Sequence, residues 1–153
     1  MSTAAKAVSP PAKGRIIQAS SRWVEMDSEQ PLIGIIDDDL SMREALEGLI
    51  SSFEFATATF ASAHEFLEAD PPPSLACLVL DVQMPGMNGL DLQAALIEAR
   101  RAVPIIFVTS FDDASIRTRA LAAGAQCVLG KLVYRDELIR HIKLALSGGT
   151  RAD

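Results

Sequence analysis

The stretch Leu75-Ala-Cys-Leu-Val-Leu-Asp81-Val-Gln-Met-Pro-Gly-Met-Asn-Gly89 decides the fold, because an apolar run ends there at a single carboxylate. The uncharged residues 75–80 indicate a strand that is buried on both faces, as in a parallel sheet. Pro85-Gly86 and Asn88-Gly89 are typical of tight turns that reverse the chain before a helix. Asp81 is therefore expected at the carboxyl end of a buried strand, where open α/β sheets bind ligands.

Strands and amphipathic helices alternate on both sides of this stretch. The predicted strands cover residues 32–36, 55–60, 75–80, 105–108 and 126–129. Asp39 or Ser41 is expected to cap the first helix, and Leu46, Ile50 and Phe53 mark its buried face. Alternating strands and helices predict βαβ units with right-handed crossovers. We predict a three-layer α/β/α fold with a five-stranded parallel sheet in the order 2-1-3-4-5, the flavodoxin-like arrangement.

The length of 153 residues fits one domain with a tail. Residues 1–30 are predicted to be a disordered extension, because they are rich in Ala, Ser, Pro and Lys and Pro10-Pro11 opposes regular structure. Residues 31–147 are predicted to form the domain, and residues 148–153 a flexible tail. Apolar residues at near-helical spacing within residues 16–24 leave a second possibility, that this segment docks on a partner or on the domain.

Charge and composition exclude several classes of protein. The net charge of −6 argues against direct nucleic-acid binding. No stretch reaches the about 18 consecutive apolar residues that a membrane-spanning helix needs, and a signal peptide is not apparent. Cys77 and Cys127 lie in predicted buried strands, so we expect reduced core cysteines and a cytoplasmic protein. His64 and His141 lie on predicted helices and are expected at the surface.

Carboxylates and other polar side chains follow the predicted strands. Asp37 and Asp38 follow the first strand and Asp81 follows the third, and these strands are neighbours in the predicted order. Thr109 and Lys131 end the strands beside them. Close carboxylates repel by about 1 kcal/mol per pair in water and about 4 kcal/mol at an effective dielectric of 20. A hard cation such as Mg²⁺ offsets this repulsion, and a carboxylate can attack a phosphoryl donor to form an aspartyl phosphate.

Four motifs at strand ends resemble, in this order, those of the receiver domain of two-component response regulators. They are Asp37-Asp38, the stretch from Asp81 to Gly89, Thr109-Ser110 and Lys131. The resemblance spans roughly residues 31–147. It implies a phosphorelay in which Asp81 accepts a phosphoryl group from a sensor histidine kinase or a phosphotransfer protein. Such a domain is a signalling phosphoacceptor rather than an enzyme, capable only of self-phosphorylation and slow self-dephosphorylation.

The resemblance also implies a role for each residue of the site. The groups that hold Mg²⁺, directly or through water, are Asp37, Asp38, Asp81 and the main-chain carbonyl of Gln83. Thr109 then bonds the phosphoryl oxygens, and Lys131 pairs with them. Phosphorylation is expected to alter the face formed by the fourth helix, fifth strand and fifth helix, which binds a downstream protein or a second copy of the chain.

Two positions depart from the family pattern. Leu132 follows Lys131 where the family has Pro after a cis bond; without Pro that bond costs about 2.5 to 4 kcal/mol, so we predict a trans Lys131–Leu132 bond. Val128 stands where the family often has a Tyr or Phe that rotates on activation. The coupling of Thr109 to an aromatic ring therefore cannot operate as such, and either Tyr134 substitutes or the output face is read differently.

Two other functions stay open on the sequence. A degenerate receiver would bind partners without phosphorylation, which Leu132 and Val128 favour. The stretch Asp37-Asp-Asp-Leu-Ser41 fits the Asp-x-Asp-x-Ser/Thr motif of haloacid dehalogenase-like phosphatases, with Asp37 as nucleophile, but it leaves the Asp81 turn unexplained. Most response regulators continue into an output domain, so the chain is expected to be either a stand-alone receiver or a fragment of a longer regulator.

Overall fold

The computed structural model describes residues 15–18, 23–26, 30–70, 74–110, 113–131 and 135–147. The strands in these ranges are β1 Arg15–Gln18, β2 Trp23–Met26, β3 Leu32–Ile36, β4 Ala56–Phe60, β5 Leu75–Leu80, β6 Ile105–Thr109 and β7 Cys127–Gly130. The helices are α1 Leu40–Ser51, α2 Ala63–Glu68, α3 Gly89–Glu98, α4 Ala114–Ala122 and α5 Arg135–Leu146. Among the helices described, none combines the length and the apolar character required to span a bilayer.

Five of the strands form a parallel sheet in the order β4-β3-β5-β6-β7. Counted from β3, this order is 2-1-3-4-5, so the predicted flavodoxin-like α/β fold is confirmed. Ile36 lies opposite Leu80 in the parallel register of β3 with β5. The residues that follow them, Asp37 and Asp81, therefore leave the sheet side by side at its carboxyl edge.

Apolar side chains cover both faces of the sheet, because successive residues of a strand point to opposite faces. One cluster is built around Phe60, Phe66 and Phe107, and the other contains Ile33 and Ile35 of β3. Helices pack over each cluster and complete the three layers. Burial on two sides explains why the strand before Asp81 carries no charge.

Some side chains lie where the sequence did not place them. His141, predicted at the surface, is only 3% exposed. The buried arc of α5 includes Leu138, Ile139 and Ile142 and is wide enough to enclose it. Phe53, predicted to be buried, lies beyond the end of α1 and is 44% exposed, with the Lys143 ammonium 5.6 Å from its ring centre.

Other side-chain predictions are confirmed. Cys77 and Cys127 are buried and free, which agrees with the expected reduced core cysteines. His64 is exposed, as predicted. Asp39 caps α1, since its side chain accepts hydrogen bonds from the main-chain N–H groups of Ser41 and Met42.

The strands β1 and β2 pair antiparallel, with Arg15 opposite Met26 and Gln18 opposite Trp23. At these positions the structure differs from the disorder predicted for residues 1–30. Segments rich in Ile, Val and Trp favour extended pairing, which accounts for the difference. Residues 1–14, 19–22 and 27–29, the tail 148–153, and Leu132 with Tyr134 lie outside the described residues, and so does the predicted trans Lys131–Leu132 bond.

Candidate functional site

Three carboxylates meet at the carboxyl edge of the sheet. One oxygen each of Asp37, Asp38 and Asp81 lies within 4.8 Å of the other two. Asp37 is 1% exposed and Asp81 is 4% exposed, whereas Asp38 lies open to solvent. The structure thus brings together acidic residues from the ends of two strands that are separated in sequence, as the predicted strand order required.

Main-chain hydrogen bonds fix where the two buried carboxylates leave the sheet. The N–H of Asp37 donates to the carbonyl of Phe60 over 3.2 Å, and the N–H of Asp81 donates to the carbonyl of Ile36 over 3.0 Å. Each aspartate is therefore tied to the neighbouring strand one step beyond the regular ladder. This anchoring holds both residues in place although they lie in loops.

Lys131 reaches the same cluster from the end of β7. Its Nζ lies 3.1 Å from Asp37 Oδ2 and 3.4 Å from Asp81 Oδ2. Its main-chain N–H donates to the carbonyl of Thr109 over 2.9 Å, and Thr109 pairs with Gly130 at the end of β6. Thr109 is 1% exposed. Lys131 thus lies within the cluster, and Thr109 lies at the adjoining strand end.

The charges of the site shift its proton equilibria. Burial and, to a smaller extent, the charge of Asp37 raise the pKa of Asp81; Lys131 opposes both, and the net result is a pKa of about 6. Burial works against the charge of Lys131, but its contacts with Asp37 and Asp81 outweigh this and raise the pKa of its ammonium. The acidic site therefore holds Lys131 in its charged form, whereas ionisation of Asp81 is costly without a further cation.

The turn after β5 packs closely on Asp81. Gln83, which is exposed, donates its main-chain N–H to Asp81 Oδ1 over 3.3 Å. The N–H of Gly89 donates to the carbonyl of Val82 over 2.9 Å. A Cβ atom at Gly89 would collide with the main-chain oxygen of Asp81, so the start of α3 can approach the strand only with glycine there.

The donor set fits a hard divalent cation. Asp37 Oδ1 accepts a hydrogen bond from the N–H of Asp39, but Oδ2 is buried without a hydrogen-bond donor, although Lys131 is close enough for an ion pair. Three carboxylates against one ammonium leave two negative charges at the cluster. Mg²⁺ prefers oxygen ligands of this kind and is typically bound by one or two carboxylates together with water.

The structure also shows contacts that the sequence did not predict. Arg43 Nη1, on α1, donates a hydrogen bond of 2.8 Å to the carbonyl oxygen of Asp37. Arg117 Nη1, on α4, donates one of 2.8 Å to the carbonyl oxygen of Val128 on β7. An arginine near a helix start carries no pattern that predicts which carbonyl its long side chain reaches. These contacts become visible only when the helices are placed against the sheet.

The chain is similar to known proteins over most of its length. A family model described as the response regulator receiver domain matches residues 33–143, which include Asp37, Asp81 and Lys131. Nodulation protein W of Bradyrhizobium diazoefficiens is 38% identical over 118 residues, which are 77% of this chain and 52% of that protein. Response regulator protein TmoT of Ectopseudomonas mendocina is 36% identical over 121 residues, which are 79% of this chain and 55% of that protein.

Solved structures share the fold. The structure of response regulator StyR superimposes with a TM-score of 0.72 at 38% identity, over 78% of this chain and 61% of that one. The structure of FixJ-N does so with a TM-score of 0.70 at 26% identity, over 82% of this chain and 100% of that one. The chain spans about half the length of the curated relatives it matches.

Proposed function

Since the chain belongs to the receiver domain family of two-component response regulators, we propose that Asp81 accepts a phosphoryl group in a phosphorelay. The donor in this proposal is a phosphohistidine of a sensor histidine kinase or of a phosphotransfer protein. One observation carries the proposal: a nearly buried carboxylate at a strand end lies 3.4 Å from a lysine ammonium and beside two further carboxylates. The family match does not favour a degenerate receiver or a phosphatase with Asp37 as nucleophile.

In the proposed transfer, an ionised carboxylate oxygen of Asp81 attacks phosphorus. A P–O bond forms as the P–N bond of the donor breaks, and the imidazole leaves with the electron pair and takes up a proton. Lys131 favours the ionised form of Asp81, and its ammonium is close enough to this carboxylate to pair with the oxygens of a phosphoryl group attached there. The hydroxyl of Thr109 is proposed to donate a hydrogen bond to one of those oxygens. Positioning and charge compensation of this kind supply most of the catalysis in phosphoryl transfer.

We further propose which groups hold Mg²⁺. They are Asp37, Asp38, Asp81 and the main-chain carbonyl of Gln83, directly or through water. When bound, Mg²⁺ supplies positive charge that compensates the phosphoryl oxygens. The buried Asp37 Oδ2, which has no hydrogen-bond donor, supports this assignment, as does the surplus of negative charge at the cluster.

Phosphorylation is proposed to act as a switch. It adds about −1.5 to −2 charges and three acceptor oxygens, which compete with Asp37 for Lys131. Because the N–H of Lys131 bonds the carbonyl of Thr109, a shift of the lysine reaches the ends of both β6 and β7. The face formed by α4, β7 and α5 is then proposed to change its affinity for a downstream protein or for a second copy. Arg117, which links α4 to Val128, lies in this face.

The wider setting is also a proposal. Several relatives are named as transcriptional regulatory proteins, such as FixJ of Bradyrhizobium diazoefficiens, which is 35% identical over 114 residues. We propose a cytoplasmic signalling role in which this domain affects transcription through protein contacts. The net charge of −6 makes a direct contact of this chain with nucleic acid unfavourable.

Treatment with acetyl phosphate and Mg²⁺ tests the proposed function. Intact-mass measurement should show one acid-labile phosphoryl group on the wild-type protein, and none after Mg²⁺ is chelated. Asp81→Asn should remove the modification, whereas Asp136→Asn, at an exposed position of α5, should retain it. Equal phosphoryl incorporation in Asp81→Asn and the wild type would contradict the proposal.

A further inference from the structure

The side chain of Arg43 connects α1 to the loop that carries the acidic cluster. Its Nη1 donates to the carbonyl oxygen of Asp37 over 2.8 Å, and the arginine is half-buried. Arg43 touches neither Asp81 nor Lys131 through any described hydrogen bond or ion pair. We propose that Arg43 is a positioning residue that sets the Mg²⁺ affinity of the cluster by fixing the main chain of Asp37. This inference rests on the proposed function.

The polar atoms of Asp37 are almost fully engaged. Its N–H donates to Phe60, its carbonyl accepts from Arg43, and its Oδ1 accepts from the N–H of Asp39 over 2.9 Å. Only Oδ2 lacks a hydrogen-bond donor, and it lies 3.1 Å from Lys131 Nζ. These bonds fix the peptide group and the carboxylate together, and they leave Oδ2 as the one carboxylate oxygen of Asp37 that faces a cationic group, the Lys131 ammonium. Loss of Arg43 frees the carbonyl, so the peptide plane between Asp37 and Asp38 loses one of its restraints and the carboxylate is held less firmly, by the N–H of Asp39 and by Lys131 alone.

The charge of Arg43 by itself would lower the Mg²⁺ affinity of the cluster, whereas its hydrogen bond to Asp37 is proposed to raise it. A guanidinium close to the cluster repels a divalent cation, so an arginine acting through charge alone would weaken Mg²⁺ binding. An arginine that acts by holding Asp37 in place would strengthen it, as outer groups that orient metal ligands generally do. Removal of the side chain therefore changes the affinity in opposite directions under the two explanations.

Calorimetric titration of the whole chain with MgCl₂ tests the inference. Arg43→Met should raise the dissociation constant by about tenfold, the lower end of the range for groups that orient metal ligands. Arg43→Lys keeps a charged donor and should restore most of the affinity. Arg119→Met removes an exposed arginine of α4 and should leave the dissociation constant for Mg²⁺ unchanged. Unchanged or tighter binding by Arg43→Met, or a loss that Arg43→Lys does not restore at all, would overturn the inference.

Hydrogen exchange in metal-free buffer gives a second, independent result. The amide of Asp39, which bonds Asp37 Oδ1, should exchange faster in Arg43→Met than in Arg119→Met, at equal global stability in denaturant. Equal exchange in the two variants would also overturn the inference. If the wild-type protein neither binds Mg²⁺ nor accepts a phosphoryl group, the proposed function fails. If the wild type does both, and Arg43→Met has the same Mg²⁺ affinity and the same amide exchange as the controls, only the role of Arg43 fails.

Discussion

At the scale of single residues, Asp81 is held in a site that disfavours its own charge. Burial and the neighbouring Asp37 raise its pKa to about 6, and Lys131 only partly compensates. The residue that is proposed to attack phosphorus is therefore also a source of instability in the metal-free protein. Perturbed carboxylates of this kind are frequent at functional sites.

Replacement of Asp81 by Asn should stabilise the metal-free protein at neutral pH. Because the folded pKa of about 6 exceeds the ordinary aspartate value of 3.8, the folded state binds more protons between these two pH values. The wild type therefore loses stability as the pH rises through that window. The shift corresponds to at most about 3 kcal/mol, reduced by solvent screening from the open side of the site.

Denaturant unfolding of Asp81→Asn and the wild type, with chelator present, measures this effect. We expect a gain of about 1–2 kcal/mol near pH 7.5, which shrinks as the pH falls and disappears at about pH 3, where Asp81 is largely protonated in both states. Asp136→Asn serves as the control and should show no such pH-dependent gain. A variant less stable than the wild type near pH 7.5 would be incompatible with a raised pKa of Asp81.

Substitution of Gly89 by Ala should disturb the fold next to Asp81. The added Cβ would collide with the Asp81 carbonyl and lie 3.0 Å from both the Phe107 ring and the Val82 Cα. Such overpacking typically costs about 1–3 kcal/mol. Gly48→Ala is the matched control, because Gly48 is an exposed position of α1 where an added Cβ would meet nothing within 4 Å, and helix propensity predicts a gain of about 0.5–1 kcal/mol. Chemical denaturation measures both; equal stability changes would contradict the packing assigned to Gly89.

At the scale of elements, uncharged runs were the most informative part of the sequence. The strand before Asp81 has the predicted bounds, because a strand buried on both faces excludes charge at every position. The meeting of Asp37 with Asp81 followed from the order of the strands. His141 and Phe53 could not be placed correctly, because their burial depends on the width of the packed arc of α5 and on where α1 ends.

The start of α1 depends on a cap that the sequence indicated. Asp39 Oδ1 accepts hydrogen bonds from Ser41 N over 2.9 Å and from Met42 N over 3.4 Å. Asp39→Ala should therefore lower the free energy of unfolding by about 1 kcal/mol, and Asp39→Asn should cost much less because Asn caps helices equally well. Urea denaturation compares the three proteins. If Asp39→Asn lost as much free energy of unfolding as Asp39→Ala, capping of α1 would not be the reason that Asp39 stabilises the protein.

At the scale of the whole molecule, Mg²⁺ binding should be linked to stability. The cluster draws its carboxylates from the β3–α1 loop and from the end of β5, which come together only in the folded chain. A ligand bound only by the folded state stabilises it by mass action, by about 1.4 kcal/mol at ten times its dissociation constant. The stability of the domain should therefore rise with MgCl₂ and not with NaCl at the same ionic strength.

Thermal unfolding across a MgCl₂ titration measures this linkage. Asp38→Asn, which removes an exposed carboxylate of the cluster, should weaken the Mg²⁺-dependent rise in melting temperature and leave the melting temperature in chelator nearly unchanged. Asp136→Asn should keep the full rise. An equal rise in Asp38→Asn and the wild type would place the bound ion elsewhere on the chain.

Identification of the residue that carries the phosphoryl group tests the central claim most directly. Borohydride reduces an aspartyl phosphate to homoserine, so the phosphorylated protein can be reduced, digested and mapped by peptide mass spectrometry. We predict homoserine at position 81 and nowhere else, and only in protein treated with acetyl phosphate in the presence of Mg²⁺. Homoserine at position 37, or an unmodified Asp81 in protein that carries a phosphoryl group, would contradict the account.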